Sequence, residues 1–255
     1  MTAQVCRHSV ESRNMAGRMA CTPLRRSEMT RTTNARLAGV AYLLYIAAAF
    51  PSMVIMGRAT AGEGMAAKLA NLAQHAFDVR LAMVLSLIGC FCALVLGVTL
   101  FAITRSQDRD LAMIAMTCRV AEGVTGAASL PPMLSFLAVV TASGFNAADA
   151  AAAHALGAFV LDDSIFVAAT FFAVGSTIFS WLLLKGRMVP VWLAWLGVIS
   201  SAVVAVALPL ESLQFLPAVI VRALWLPVAV FEVVLAVWFI VKGPQGPIPE
   251  VAHVE

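Results

Sequence analysis

Charge is what this chain lacks first. Lys, Arg, Asp and Glu supply 12% of its 255 residues, against about 25% in an ordinary soluble domain. So few charges cannot cover a soluble surface of this size, and stretches of about 20 residues carry none on any face. A soluble enzyme or binding module is thereby excluded. The motifs of soluble chemistry are missing too: there is no phosphate-binding loop, no G-x-G-x-x-G, no H-E-x-x-H and no paired C-x-x-C. Cysteine is sparse, with Cys6, Cys21, Cys90, Cys92 and Cys118 making up the set. Three of these fall inside apolar runs, and Cys90 and Cys92, two apart, point to different sides of a helix. They read as small packing residues rather than a disulfide framework, and no metal or cofactor is expected.

What is abundant is apolar length. Hydrophobic residues make up 61% of the chain, the mean hydropathy is +0.91, and lipid is the solvent that tolerates such a composition. Residues 1–35 are polar and arginine-rich without helical periodicity, and read as a disordered leader. They hold Met15, Met19 and Met29, and Met29 is a candidate natural start that leaves a short basic segment before the first span. Apolar runs follow at Leu37 to Ile55, Leu81 to Thr104, Leu111 to Leu130, Ser164 to Leu184, Val189 to Leu210 and Val221 to Val241. The last five are of a length to cross a bilayer core of about 30 Å as helices. The first has the basic flank and small residues of a secretory signal but continues through Met53, Val54 and Ile55, so it reads as an uncleaved span. Pro131 and Pro132 stop or kink the third helix. The segment 133–140 is too short to cross alone, and 147–161 reads as a helix at the interface or packed over the bundle. The expected fold is therefore an all-α, six-span membrane bundle over residues 36–243, followed by a short polar tail at 244–255.

The formal net charge of +3 raises nucleic acid as a partner, and the placement of the charges argues against it. Arg7, Arg13, Arg18, Arg25, Arg26, Arg31 and Arg36 precede the first span, and most other basic residues flank apolar runs. With the N-terminus inside, twelve basic residues fall on the cytoplasmic side and only Arg58, Lys68, Arg80 and Arg222 on the other. That asymmetry places both termini in the cytoplasm, and the expected location is the plasma membrane. A start at Met29 leaves seven basic residues inside against the same four. The lipid bilayer is the expected partner, a small-molecule ligand and the oligomeric state stay undetermined, and the connections between spans are too short to hold a catalytic domain.

Charge inside the membrane is rare and costly, so it marks the residues to explain. Arg119 and Glu122 lie three apart on one face of span three. Counting about 1.5 Å per residue from Leu111 puts them about 12 and 16 Å deep, and the same count from Lys242 puts Glu232 of span six about 15 Å deep. Arg119 is expected to bridge both carboxylates. Such a triad is either an ionic clasp between spans three and six or a site whose formal charge of −1 takes up a proton or holds a solute. At the opposite ends of the spans, His75, Asp78, Arg80, His154, Asp162, Asp163, Glu211 and Arg222 form a second polar layer. This layer is read first as helix-end residues reaching interfacial water, and only second as a metal site, because its spacing is irregular. Trp181, Trp192, Trp195, Trp225 and Trp238 fall mostly near span ends, as an aromatic belt requires.

With the spans placed, ARLAGVAYLL at 35–44, CRVAEG at 118–123, LLKGRMVPVWLAWLGVISS at 183–201 and FEVVLAVWFIVKG at 231–243 together resemble the bacterial membrane family known as domain of unknown function 4386. The resemblance covers about residues 35 to 244, implies a six-span protein and brings no catalytic residues. It leaves the leader before Met29 outside the pattern. The functional expectation is a structural or accessory membrane protein. The alternatives are a transporter of a small solute or proton, which lacks a detectable inverted repeat, and a membrane enzyme acting on lipid, which lacks a convincing nucleophile or metal set.

Overall fold

The computed structural model describes residues 30–142, 147–161 and 165–245, without the side chains of 147–150 and 165. Among them the chain forms only helices: α1 (Arg31–Ala59), α2 (Met65–Gln74), α3 (Ala76–Thr104), α4 (Arg109–Ala128), α5 (Leu130–Val140), α6 (Ala147–Val160), α7 (Ile165–Lys185), α8 (Val191–Ser212) and α9 (Ala218–Val241). Six segments are long and apolar enough to cross a membrane: α1, α3, α4 continued through α5, α7, α8 and α9. The protein is a multi-pass membrane protein of the all-α class.

Local chemistry accounts for most of the boundaries. Thr30 caps α1 by accepting a hydrogen bond from the Thr33 N–H at 3.2 Å, so the helix starts at Arg31 and takes in residues expected to belong to the disordered leader. Residues 1–29 and 246–255 lie outside the described residues. Asp108 caps α4 through the Leu111 N–H at 3.1 Å. Pro131 and Pro132 sit in the first turn of α5, where their missing N–H groups cost least. The chain therefore breaks at Ser129 and continues as a helix instead of stopping. Within the spans, the hydroxyls of Thr99, Thr104, Thr117, Thr125, Thr170, Thr177 and Ser200 donate to carbonyls one turn back, at 2.7 to 2.9 Å. Where water is absent, that is how an isolated hydroxyl finds a partner.

The spans close into a ring in which each packs mainly against two others, in the order α1, α3, α4, α7, α8, α9 and back to α1, with a smaller contact between α3 and α7. Lipid tails give no hydrophobic incentive for helices to associate, so close backbone approach has to hold them together. Glycine supplies it. A Cβ at Gly39 of α1 would lie 2.7 Å from the Ala236 carbonyl of α9, and one at Gly197 of α8 would lie 2.5 Å from the Phe231 ring. The connections α2, α5 and α6 pack on one another at the end of the ring remote from the termini.

The buried side chains divide into three groups. The largest draws on all six spans and lies toward the termini, with Tyr42, Leu100, Phe179, Leu193, Phe231 and Phe239 among its members. Toward the far end, one group comes only from α7, α8 and α9, including Phe172, Val204 and Val228. The other comes from α1, α2, α3 and α5, including Leu72, Met83 and Phe136.

Candidate functional site

The level at which the large group gives way to the two smaller ones is where the membrane-embedded charge sits. Arg119 is 0% exposed, Glu122 6% and Glu232 5%. Spacing of three on α4 puts Arg119 and Glu122 on one face, and Arg119 Nη1 stands 3.0 Å from Glu122 Oε2. The contact is short but off-axis, so no nitrogen of the guanidinium completes a hydrogen bond to another described group. Tyr45 of α1 donates its hydroxyl to Glu122 Oε1 at 3.0 Å. The guanidinium carbon lies 4.9 Å from the centre of the Phe172 ring on α7 and 5.6 Å from that of Tyr45, so two aromatic faces carry part of the positive charge. Room for the arginine stem comes from two glycines: a Cβ at Gly97 would be 3.2 Å from Arg119 Cβ, and one at Gly175 would be 3.6 Å from its Cδ.

Glu232 enters from α9 next to Phe231 and is within electrostatic reach of Arg119 and Glu122. Among the described residues no ion pair joins it to Arg119, whose close partner is Glu122 on its own helix. The expected bridge of one arginine to two carboxylates is therefore replaced by an intrahelical pair with a separate carboxylate beside it. Three residues apart on α4 leaves no freedom to stay apart, whereas equal depth on α4 and α9 fixes height but not distance across the bundle. Among the described residues Glu232 Oε1, Glu122 Oε2, Ser176 Oγ and Ser201 Oγ are buried without a hydrogen-bond partner, like the guanidinium nitrogens, although Glu122 Oε2 stays within ion-pair distance of Arg119. Ser176 follows Phe172 by four residues on α7, and Ser201 follows Gly197 by four on α8, so each shares a face with a residue of this level. Buried polar groups are nearly always satisfied, and a concentration of unsatisfied ones at one level calls for an explanation.

The sequence reading does not single out Tyr45, although a signal exists. The chain has two tyrosines, both in span one, and counting about 1.5 Å per residue from Arg36 puts Tyr45 about 13 Å deep, level with the charges. Phe172, Ser176 and Ser201 carry no comparable sequence signal.

Among the described residues of the far-end polar layer, the close contact is between His75 and Asp78. His75 Nδ1 lies 3.2 Å from Asp78 Oδ2, with both side chains about half exposed. Arg80, His154 and Arg222 are exposed and Glu211 is half-buried, while Asp162 and Asp163 lie outside the described residues. No group of three or more metal-ligating side chains occurs among the described residues. Two open-sided apolar grooves, of about 130 and 220 Å³, are lined by Phe166, Val167, Thr170 and Phe171 and by residues of α8 and α9 around Pro227. Neither reaches the charged core.

A family model described as Domain of unknown function (DUF4386) matches residues 37–243. No curated protein and no solved structure matches.

Proposed function

The chain belongs to the DUF4386 family, and from that premise we propose that it is a plasma-membrane protein that passes a proton or small polar solute through a central site made by Arg119, Glu122 and Glu232. One observation carries this reading. Among the described residues, most of the buried side-chain polar atoms without a hydrogen-bond partner lie at one level, on Arg119, Glu122, Glu232, Ser176 and Ser201, and the charged groups among these have a formal sum of −1 when both carboxylates are ionised. A clasp needs its charges matched across helices, and the close contact of Arg119 is to its own helix. One proton neutralises the cluster, and the free donors and acceptors suit water or a small hydrogen-bonding guest. The basic residues on the termini side support an orientation with both termini in the cytoplasm. Lipid is the surrounding partner.

The accessory reading has its own support. The Tyr45–Glu122 hydrogen bond ties α1 to α4 across the bundle, as a structural network would. The two readings separate in proteoliposomes loaded with a pH-sensitive dye and given an inward proton gradient. Wild-type protein should dissipate the gradient faster than protein-free vesicles, and Glu232→Gln should lose that excess while keeping its fold. A wild-type rate equal to that of empty vesicles, for protons and for a panel of small polar solutes, would remove the transport reading and leave the accessory one.

A further inference from the structure

We infer that the charged core is reached from one end only: the two three-helix halves, α1–α3–α4 and α7–α8–α9, part at the end that carries α2, α5 and α6, while the termini end stays shut. The inference deepens the reading of the core as a solute or proton site, on which it rests for its purpose. The opening itself is a statement about packing and is tested without any flux.

The termini end is sealed by three separate devices. Its buried side chains form one group drawn from all six spans, so separating the halves there would break a continuous core. The α7–α8 connection folds back into that core: Met188 and Val189 are 0% and 3% exposed. Met188 is held on both sides, its N–H donating to the Leu183 carbonyl and its carbonyl accepting from the Gln245 N–H, at 3.0 and 2.8 Å. Backbone contact also closes the α1–α9 seam at this end and the α4–α7 seam at the charged level. Gly39 meets Ala236 across α1 and α9, and a Cβ at Gly175 would lie 3.0 Å from Cys118 Cβ and 3.2 Å from the Ala115 carbonyl across α7 and α4.

Beyond the charged level the construction changes. The α7–α9 group contains no residue of the first half, and the group under α2, α5 and α6 contains none of the second. Among the described residues the two halves are thus packed internally but have no buried apolar group in common at this end. Backbone weak points are distributed the same way. Pro51 in α1, Pro209 in α8 and Pro227 in α9 are the prolines inside the spanning helices, and the α4–α5 break falls at Ser129. All four lie on the far side of the charged level: Pro51 follows Tyr45, Ser129 follows Glu122, Pro209 follows Ser201, and Pro227 precedes Glu232 in a helix running the other way. Each interior proline removes one backbone hydrogen bond and permits bending. The segments able to bend are therefore the ones that line the divided end, with the closed end as fulcrum.

The test uses the full chain in sealed vesicles of known orientation, with all five natural cysteines replaced by serine or alanine. A single cysteine is placed at Ser176→Cys or Ser201→Cys, and a charged, membrane-impermeant methanethiosulfonate is added from one face at a time. Both positions should label at least about tenfold faster from the α2–α5–α6 face than from the termini face, a barrier difference of roughly 1.4 kcal/mol. Pro227→Ala, which restores a helix hydrogen bond, should slow labelling from that face. Equal rates from the two faces, faster labelling from the termini face, or no labelling of either cysteine in protein that elutes and melts like wild type would each overturn the inference. One-sided labelling in a protein that moves no proton or solute would leave the opening standing and remove the transport reading instead.

Discussion

Arg119, Glu122 and Glu232 are at most 6% exposed, whereas His75 and Asp78 at the far end keep about half of their side-chain surface open. Both regions hold a basic and an acidic residue three apart on or beside a helix, at 3.0 and 3.2 Å, yet the physics differs. In the core the alternative to a partner is a charge stranded in low dielectric. At the far end the alternative is water, and the pair adds almost nothing to it. The same spacing and the same residue classes therefore mark a candidate site where they are buried and a water-exposed pair where they are not. Substitutions can break this contrast or sharpen it.

The largest effect is expected at Arg119. Arg119→Ala leaves Glu122 and Glu232 without a positive charge near them and removes the group that lies over Phe172 and Tyr45. The expected loss is about 3 to 5 kcal/mol, the cost of breaking a buried pair. It reads out as a lowered melting temperature in detergent and a lower yield of monodisperse protein. Glu232→Gln should cost less, because the amide keeps an acceptor and strands no charge. A loss at Arg119 no greater than at Glu232 would mean the arginine is not neutralising the core.

The second effect is a recovery. Arg119→Met combined with Glu122→Gln and Glu232→Gln leaves no charge at this level and should regain much of the stability lost by Arg119→Ala. Melting temperature and proton flux measured on the same preparation divide the outcomes. Stability with normal flux would make the charges dispensable to transport, while stability without flux would tie the charges to the activity rather than to the fold.

A smaller effect belongs to Tyr45. Tyr45→Phe removes one hydrogen bond to Glu122 and keeps the ring beside the guanidinium, so about 1 to 3 kcal/mol is expected from a lost bond to a charged group. An unchanged melting temperature would show that the bond between α1 and α4 carries no stability, which would weaken the accessory reading.

How much of the fold and of the core is legible in the amino-acid sequence follows from what each signal measures. The spans are legible because lipid demands unbroken apolar length, and α3, α7, α8 and α9 fall within a few residues of the runs that announce them. The start of α1 is not, because Arg31 and Arg36 read as leader while the Thr30 cap acts through geometry and not hydropathy. The helix α2 escapes the sequence for a related reason: ten residues of amphipathic sequence in a connection give no span signal. In the core, depth is legible from rise per residue, but the angular position of each helix is not. That is why spacing pairs Arg119 with Glu122 correctly on one helix, whereas equal depth suggests for Glu232 a bridge that its place across the bundle does not make.

The smallest effect, and the one that tests the contrast from its other side, is expected at His75. Its ring meets Asp78 at 3.2 Å where α2 gives way to α3, with 48% and 52% of the two side chains exposed. Ion pairs of that exposure are worth about 0 to 1 kcal/mol. Asp78 lies in the first turn of α3, where the helix dipole favours an acid whether or not a histidine is near. His75→Ala therefore removes a contact that water replaces and leaves Asp78 in a favourable position. Stability should stay within about 0.5 kcal/mol of wild type, the ordinary range for surface substitutions. Proton flux should be unchanged, since the pair belongs to the exposed layer and not to the buried level. Zinc or a chelator should shift the melting temperature of neither protein. A loss comparable to that at Tyr45, or a zinc-dependent rise present in wild type and absent in His75→Ala, would mean that the exposed layer holds a site of its own and that burial is a poor guide to where this protein keeps its chemistry.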